Sequence, residues 1–218
     1  VRSLKASGMI FVKEIDLIKT YCDFSDKNSV YVILGIARKK NNNLTNSQEI
    51  VYREVIKKEK EISRKYNKIK SLIKGQPEYN FYIYITVNPR SIVKAYFRLK
   101  KQMIVWDKEV FGGVDISEHL KKIDGRWISC LMKECCKNGR TKFLFDFDCK
   151  CDIKTKKFEE LLKKHTTIIW FKETRNGYHI VTEPFNFKLL LEEKDYKQFE
   201  NIVELKKDSL LFVEYIGK

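Results

Sequence analysis

The chain has 218 residues, 43% of them hydrophobic, with 44 Lys and Arg against 29 Asp and Glu and a formal net charge of +15. That length and apolar content support one good-sized domain or two small ones sharing a core, and they exclude a wholly disordered chain. No apolar run approaches the roughly 20 residues a membrane-crossing helix needs, and no secretory leader pattern is visible, so a soluble intracellular protein with no membrane partner is expected. Residues 1–8 show no periodicity and precede Met9; they read as an expression remnant or a disordered arm.

Residues 30–37, VYVILGIA, form a nearly unbroken β-prone run that predicts a buried strand. A polar loop over 38–43 follows. From 47 to 73, Ile50, Val51, Val55, Ile62, Tyr66, Ile69 and Ile73 fall close to helical spacing, which predicts one helix ended by Gly75 and Pro77. Residues 81–87, FYIYITV, predict a second strong strand. Asn88 and Pro89 then read as a cap and a first-turn proline, launching a helix to about Gln102. A further helix is expected from Asp115 to about Lys137, with Gly125 as a break and Gly139 as its end.

The remainder reads as a strand over 142–148, a helix over 156–164, a strand over 166–172, a turn over 175–177 and a strand over 178–182. A short helix near 196–201 and strands over 202–206 and 210–216 complete the chain. Strands and helices mix without strict βαβ alternation, so the expected class is α+β with mainly antiparallel sheets.

The basic excess alone is a weak pointer to a polyanion, because a solvated lysine-rich surface explains it equally. The cysteines at 130, 135, 136, 149 and 151 bracket one segment but lack the paired C-x2-C knuckles of a structural zinc site. Reduced thiols are expected; zinc and a disulfide framework are not.

Two sequence elements carry chemistry. In KFLFDFD, alternation along a strand puts Asp146 and Asp148 on one face and Phe145 and Phe147 on the other, toward a core. Two carboxylates so close together call for a cation between them, and a pair of divalent metals bridging substrate phosphates is the usual solution. The other reading is a strand edge whose acids face water. In TRNGYH, a glycine turn feeding a strand brings backbone N–H groups, Thr174, Arg175 and Asn176 to one spot as a phosphate cradle, with His179 on the strand beyond.

Together, FLFDFD, TRNGYHI and Asp208 within LKKDSLLFV resemble the archaeo-eukaryotic primase, or primase-polymerase, superfamily, particularly viral and plasmid members. YITVNPRSIVKAY, residues 84–96, also resembles segments of such members. The resemblance implies a single catalytic domain over 9–218, in which an RRM-like unit (116–218) carries the metal site and packs on an N-terminal α/β unit (9–115). It implies that Asp146 and Asp148 bind two Mg²⁺ or Mn²⁺ ions and that a third acid, Asp208 rather than the nearby Glu204 or Glu214, completes the site. His179 would contact the β- and γ-phosphates of an incoming nucleotide, helped by Arg175 or Lys172. Thr174 and Asn176 stand where many relatives have serines. Arg140 and Lys142, just before the catalytic strand, are candidates to neutralise charge.

The implied activity is template-directed nucleotidyl transfer, as a DNA primase or a DNA or RNA polymerase at an intracellular site of replication. Implied partners are a single-stranded DNA template or primer-template, NTP or dNTP, and a helicase or accessory primase subunit. Two other readings keep the same fold: a metal-dependent nuclease using water as nucleophile, and a catalytically inactive nucleic-acid-binding module.

Overall fold

A computed structural model describes residues 14–39, 42 and 49–217, in an α+β arrangement built on two antiparallel sheets. The expected arm at 1–8 lies outside the described residues, as does part of the loop at 38–43. The first sheet is built on β1 (Ser29–Ala37), β2 (Ile50–Ile56), β3 (Phe81–Thr86) and β9 (Leu210–Ile216) in the order β2-β1-β3-β9, with the two-residue β4 (Arg90–Ser91) pairing the start of β1. Every residue of β1 is buried, because both faces of this central strand are covered. Tyr31 and Ile33 face the helices α1 (Glu14–Tyr21) and α2 (Ile62–Lys74), while Val30, Val32 and Leu34 face α3 (Ile92–Phe111) and α5 (Ile123–Leu131). Gly35 permits the α2 contact: a Cβ there would lie 3.0 Å from both Ile69 Cγ2 and Ile73 Cδ1.

The helix expected from 47 to 73 is corrected. Its first half is β2, paired with β1 from Tyr31↔Ile56 to Ala37↔Ile50, and residues 47–48 lie outside the described set. The β-branched Ile50, Val51, Val55 and Ile56 suit a pleated surface. Only Ile62, Tyr66, Ile69 and Ile73 make a true helical stripe, the buried face of α2. The cap assigned to Asn88 is also corrected. Ser91 Oγ accepts from Lys94 N–H at 3.2 Å and starts α3, which runs on to Phe111. The helix expected over 115–137 divides at Lys122 into α4 (Ser117–Lys121) and α5, leaving Gly125 inside α5.

The second sheet contains β5 (Phe143–Phe147), β6 (Ile168–Glu173), β7 (Tyr178–Thr182) and β8 (Val203–Lys206) in the order β6-β7-β5-β8. Helix α6 (Asp152–His165) follows β5, and the unanticipated short helix α7 (Phe187–Glu192) lies between β7 and β8. The chain order is therefore β-α-β-β-α-β, a split βαβ plan. One face of this sheet, with Phe145, Phe147, Ile180 and Val203, packs on Phe158, Leu161 and Leu162 of α6. Burying each such side chain is worth roughly 1.5–3 kcal/mol.

Leu144 and Val181, on the opposite face, join the core of the first sheet beside Leu211 and Val213. The last strand, β9, leaves the second sheet to pair with β3, crossing the division expected at 115/116.

The VNPR segment knits the two sheets together. Asn88, fully buried, accepts from Lys142 N–H at 2.7 Å and donates to Lys207 O at 3.2 Å. Val87 N–H donates to Ser209 O, and Tyr21 OH donates to Val87 O. These bonds fix where β5 begins and where the chain turns from β8 into β9. They thereby set how the two sheets meet. No helix among the described residues is long and apolar enough to cross a membrane.

Candidate active site

A cleft of about 440 Å³ opens where the two sheets meet. The second sheet supplies Asp146, Asp148, His179, Lys206 and the 174–176 turn; the first supplies Tyr82, Tyr84, Leu210 and Phe212, with Arg38 just past β1.

Asp146 sits near the C-terminal end of β5, with His179 of β7 and Glu204 of β8 directly across from it on either side. Asp148 follows one residue beyond the strand, its N–H held by Ile202 O at 2.7 Å. Strand parity thus brings Asp146, His179, Glu204 and Lys206 to the face that looks toward the first sheet.

The turn is held against the same strand end. Thr174 N–H donates to Gly177 O at 2.8 Å, and Gly177 N–H donates to Thr174 Oγ1 at 3.2 Å. A Cβ on Gly177 would lie 1.8 Å from Phe147 O, so only glycine lets the turn lie beside the Asp146–Asp148 segment.

His179 is nearly buried. Its Nδ1 accepts from Phe212 N–H at 3.1 Å, which leaves the proton of the neutral ring on Nε2, 3.5 Å from Asp146 Oδ1. Burial pushes the imidazole down to about 4, outweighing the attraction of Asp146, while Lys206 and Arg38 push the same way as burial. The ring is therefore neutral at pH 7.

Lys206 Nζ contacts Asp146 Oδ2 at 2.6 Å and Glu204 Oε2 at 3.2 Å. Burial alone would lower its pKa, but the two carboxylates outweigh burial and raise it. On the opposite wall, Tyr82, Tyr84 and Phe212 pack at ring separations of 5.9–6.4 Å. Arg38 lies 5.2 Å from the Tyr84 ring centroid, and Arg175 donates to Tyr82 OH at 3.2 Å.

Of the residues singled out from sequence, the cleft gathers Asp146, Asp148, Thr174, Arg175, Asn176 and His179. Asp208 lies apart from this cleft. Both its oxygens are taken by the buried Arg90 guanidinium, at 2.7 and 2.9 Å, and the cleft lining includes Ser209 and Leu210 but not Asp208. Arg140 and Lys142 also lie outside the cleft lining: they precede β5, whereas the carboxylates lie at its far end. Four residues of strand separate Lys142 from Asp146 by roughly 13 Å. Lys142 Nζ instead sits over the Tyr21 ring, and burial lowers its pKa. Lys172 pairs across from His179 but lines the neighbouring cleft that shares Thr174, Arg175 and Phe212.

Sequence reasoning missed Arg38, Tyr82, Tyr84, Lys206 and Phe212. The alternating tyrosines of FYIYIT were the available signal, since two phenols on one face of a buried strand look for a polar cleft.

Among the described residues, no three His, Cys, Asp or Glu side chains converge as a ready-made metal cage. The donors in the cleft fit Mg²⁺ or Mn²⁺ nonetheless. Such hard ions take oxygen ligands, and Mg²⁺ is commonly held by one or two carboxylates together with substrate phosphates and water. All six cysteines are free thiols, with Cys130 and Cys136 buried beside α3. No protein-family model, curated protein or solved structure matches the chain.

Proposed function

We propose that this protein is a template-directed nucleotidyl transferase of the primase-polymerase kind, and that its second sheet is an RRM-like catalytic module. One observation carries the reading: a single cleft combines two adjacent carboxylates, three basic side chains and an aromatic wall. Those are the groups needed for metals, a triphosphate and a planar base. The +15 charge supports a nucleic-acid partner, with affinity that falls as salt rises.

Asp146 and Asp148 would hold divalent cations, whose charge when bound acidifies an attacking 3′-hydroxyl and balances the leaving pyrophosphate. Arg38 and Arg175 bind triphosphate oxygens, and the hydroxyl of Thr174 and the amide of Asn176 add donors from the turn. Tyr82, Tyr84 and Phe212 exclude water from that side and offer π surface to the base or sugar. Neutral His179, anchored through Nδ1 to the backbone of β9, keeps an Nε2–H donor beside Asp146. It orients that carboxylate or contacts a phosphate oxygen without adding a full charge. Lys206, paired with Asp146, would swing to phosphate oxygens when substrate enters.

The Lys206 contact also favours a second reading, a nucleic-acid-binding module without catalysis, because an ammonium on Asp146 already supplies the counter-charge. Incubating the protein with Mn²⁺, a labelled primer-template and NTPs or dNTPs separates the readings. Extension supports the transferase, shortening means a nuclease, and an unchanged strand that is nevertheless bound means the inactive module.

A further inference from the structure

Away from the cleft, the chain leaves α5 and makes a short helical turn, Glu134–Cys136, against α3. Cys136 is buried and Cys135 exposed, and their sulfurs lie 4.0 Å apart. Backbone bonds hold the turn in place. Cys136 N–H donates to Lys133 O at 2.9 Å, Lys137 N–H to Glu134 O at 3.0 Å, and Asn138 N–H to Pro89 O at 2.9 Å. From α3, Arg98 Nη1 donates to Cys135 Sγ at 3.5 Å, while Arg98 Nε is buried with no hydrogen-bond partner. The proposed nucleotidyl transfer uses none of these groups.

The sulfur separation decides what this pair can do. A disulfide needs sulfurs about 2.05 Å apart and Cα atoms about 4.4–6.8 Å apart, whereas neighbours in a chain are held at about 3.8 Å. A shared metal ion fits better. Two metal–sulfur bonds of about 2.3 Å place the sulfurs about 3.8 Å apart at a tetrahedral angle and about 4.6 Å apart in line. We infer that Cys135 and Cys136 bind one soft monovalent cation, of the Cu(I) class, as a two-coordinate bis-thiolate. Thiolate selects soft ions, and zinc or an iron–sulfur cluster calls for more ligands than this pair offers. Among the described residues no third Cys, His, Asp or Glu converges with them. Cys130 Sγ is turned to Gln102 Oε1 at 3.7 Å, and Glu134 is paired with Lys137 at 3.0 Å. Binding releases both thiol protons to solvent and leaves two thiolates on one monovalent ion, a net charge of −1 that the Arg98 guanidinium balances. Affinity therefore rises with pH. The other close thiol pair is arranged differently, because Cys149 Sγ accepts from Cys151 N–H at 3.3 Å.

The test uses the full chain, reduced and under nitrogen. Cu(I), supplied as its acetonitrile complex, is titrated in against a chromophoric Cu(I) chelator. Wild type retains one ion per chain, and X-ray absorption of the retained ion shows two sulfur neighbours. Cys135→Ser, an exposed change expected to leave the melting temperature unaltered, removes retention, and Cys136→Ala does the same. Cys149→Ser with Cys151→Ser keeps it. Arg98→Ala weakens retention by about tenfold or more, as loss of a supporting partner does at other metal sites. No retention by wild type overturns the inference, as does retention that Cys135→Ser leaves intact. So does retention lost in the Cys149 and Cys151 double variant, or a retained ion with three or more donors.

Discussion

Arg90 and Asp208 form a two-pronged ion pair with nitrogen–oxygen distances of 2.9 and 2.7 Å, the guanidinium 1% exposed and the carboxylate on the chain segment between β8 and β9. The pair ties the start of α3 to the point where the chain passes from the second sheet to the first. Its role follows from that position. Removing either partner leaves a buried charge uncompensated, at a cost of about 3–5 kcal/mol. Asp208→Asn and Arg90→Met are therefore each expected to lower the melting temperature sharply, while the double variant Arg90→Met with Asp208→Leu recovers much of the loss. Thermal unfolding of the three variants checks this. An Asp208→Asn protein as stable as wild type but without activity would instead return Asp208 to the metal site.

Gly177 is expected to be irreplaceable. Alanine there collides with Phe147 O and approaches Cys149 N to 2.8 Å, so either the turn or the Asp146–Asp148 segment must move. Gly177→Ala should cost activity far more than nucleic-acid binding, because the basic surface outside the turn survives. Comparing primer extension with single-strand affinity at fixed salt reads the difference. Unchanged extension would mean that the turn does not set the carboxylate positions.

Arg38 lines the cleft over Tyr84 and is absent from the buried core. A charge-assisted phosphate contact is worth roughly 1.5–3 kcal/mol. Arg38→Ala should accordingly weaken nucleotide binding by about tenfold or more, with the melting temperature nearly unchanged. Nucleotide titration beside thermal unfolding makes the comparison. A loss of stability with normal nucleotide affinity would assign Arg38 to packing.

What could be read from sequence was local. The unbroken runs of β1 and β3 and the alternation of Phe145, Asp146, Phe147 and Asp148 carry their own period, and the Asn176–Gly177 turn carries its own chemistry. Residues 50–56 misled because a strand followed by a helix placed its apolar residues close to one helical period. The pairing of Asp208 was not legible, because its partner, Arg90, lies 118 positions away. Lys206, Arg38 and the two tyrosines reach the cleft from strands that only the sheet order brings together, and no short-range pattern marks them.

The central claim rests on Asp148, which has no protein salt bridge among the described residues and faces the cleft. The most direct measurement is Mn²⁺-dependent primer extension by wild type and by Asp148→Ala, with single-stranded DNA binding and melting temperature recorded on the same samples. Wild type is expected to extend the primer. Asp148→Ala is expected to keep its fold, bind the strand as well or more tightly, and lose extension. Extension by Asp148→Ala at the wild-type rate, or none by wild type with either nucleotide class, would contradict the account.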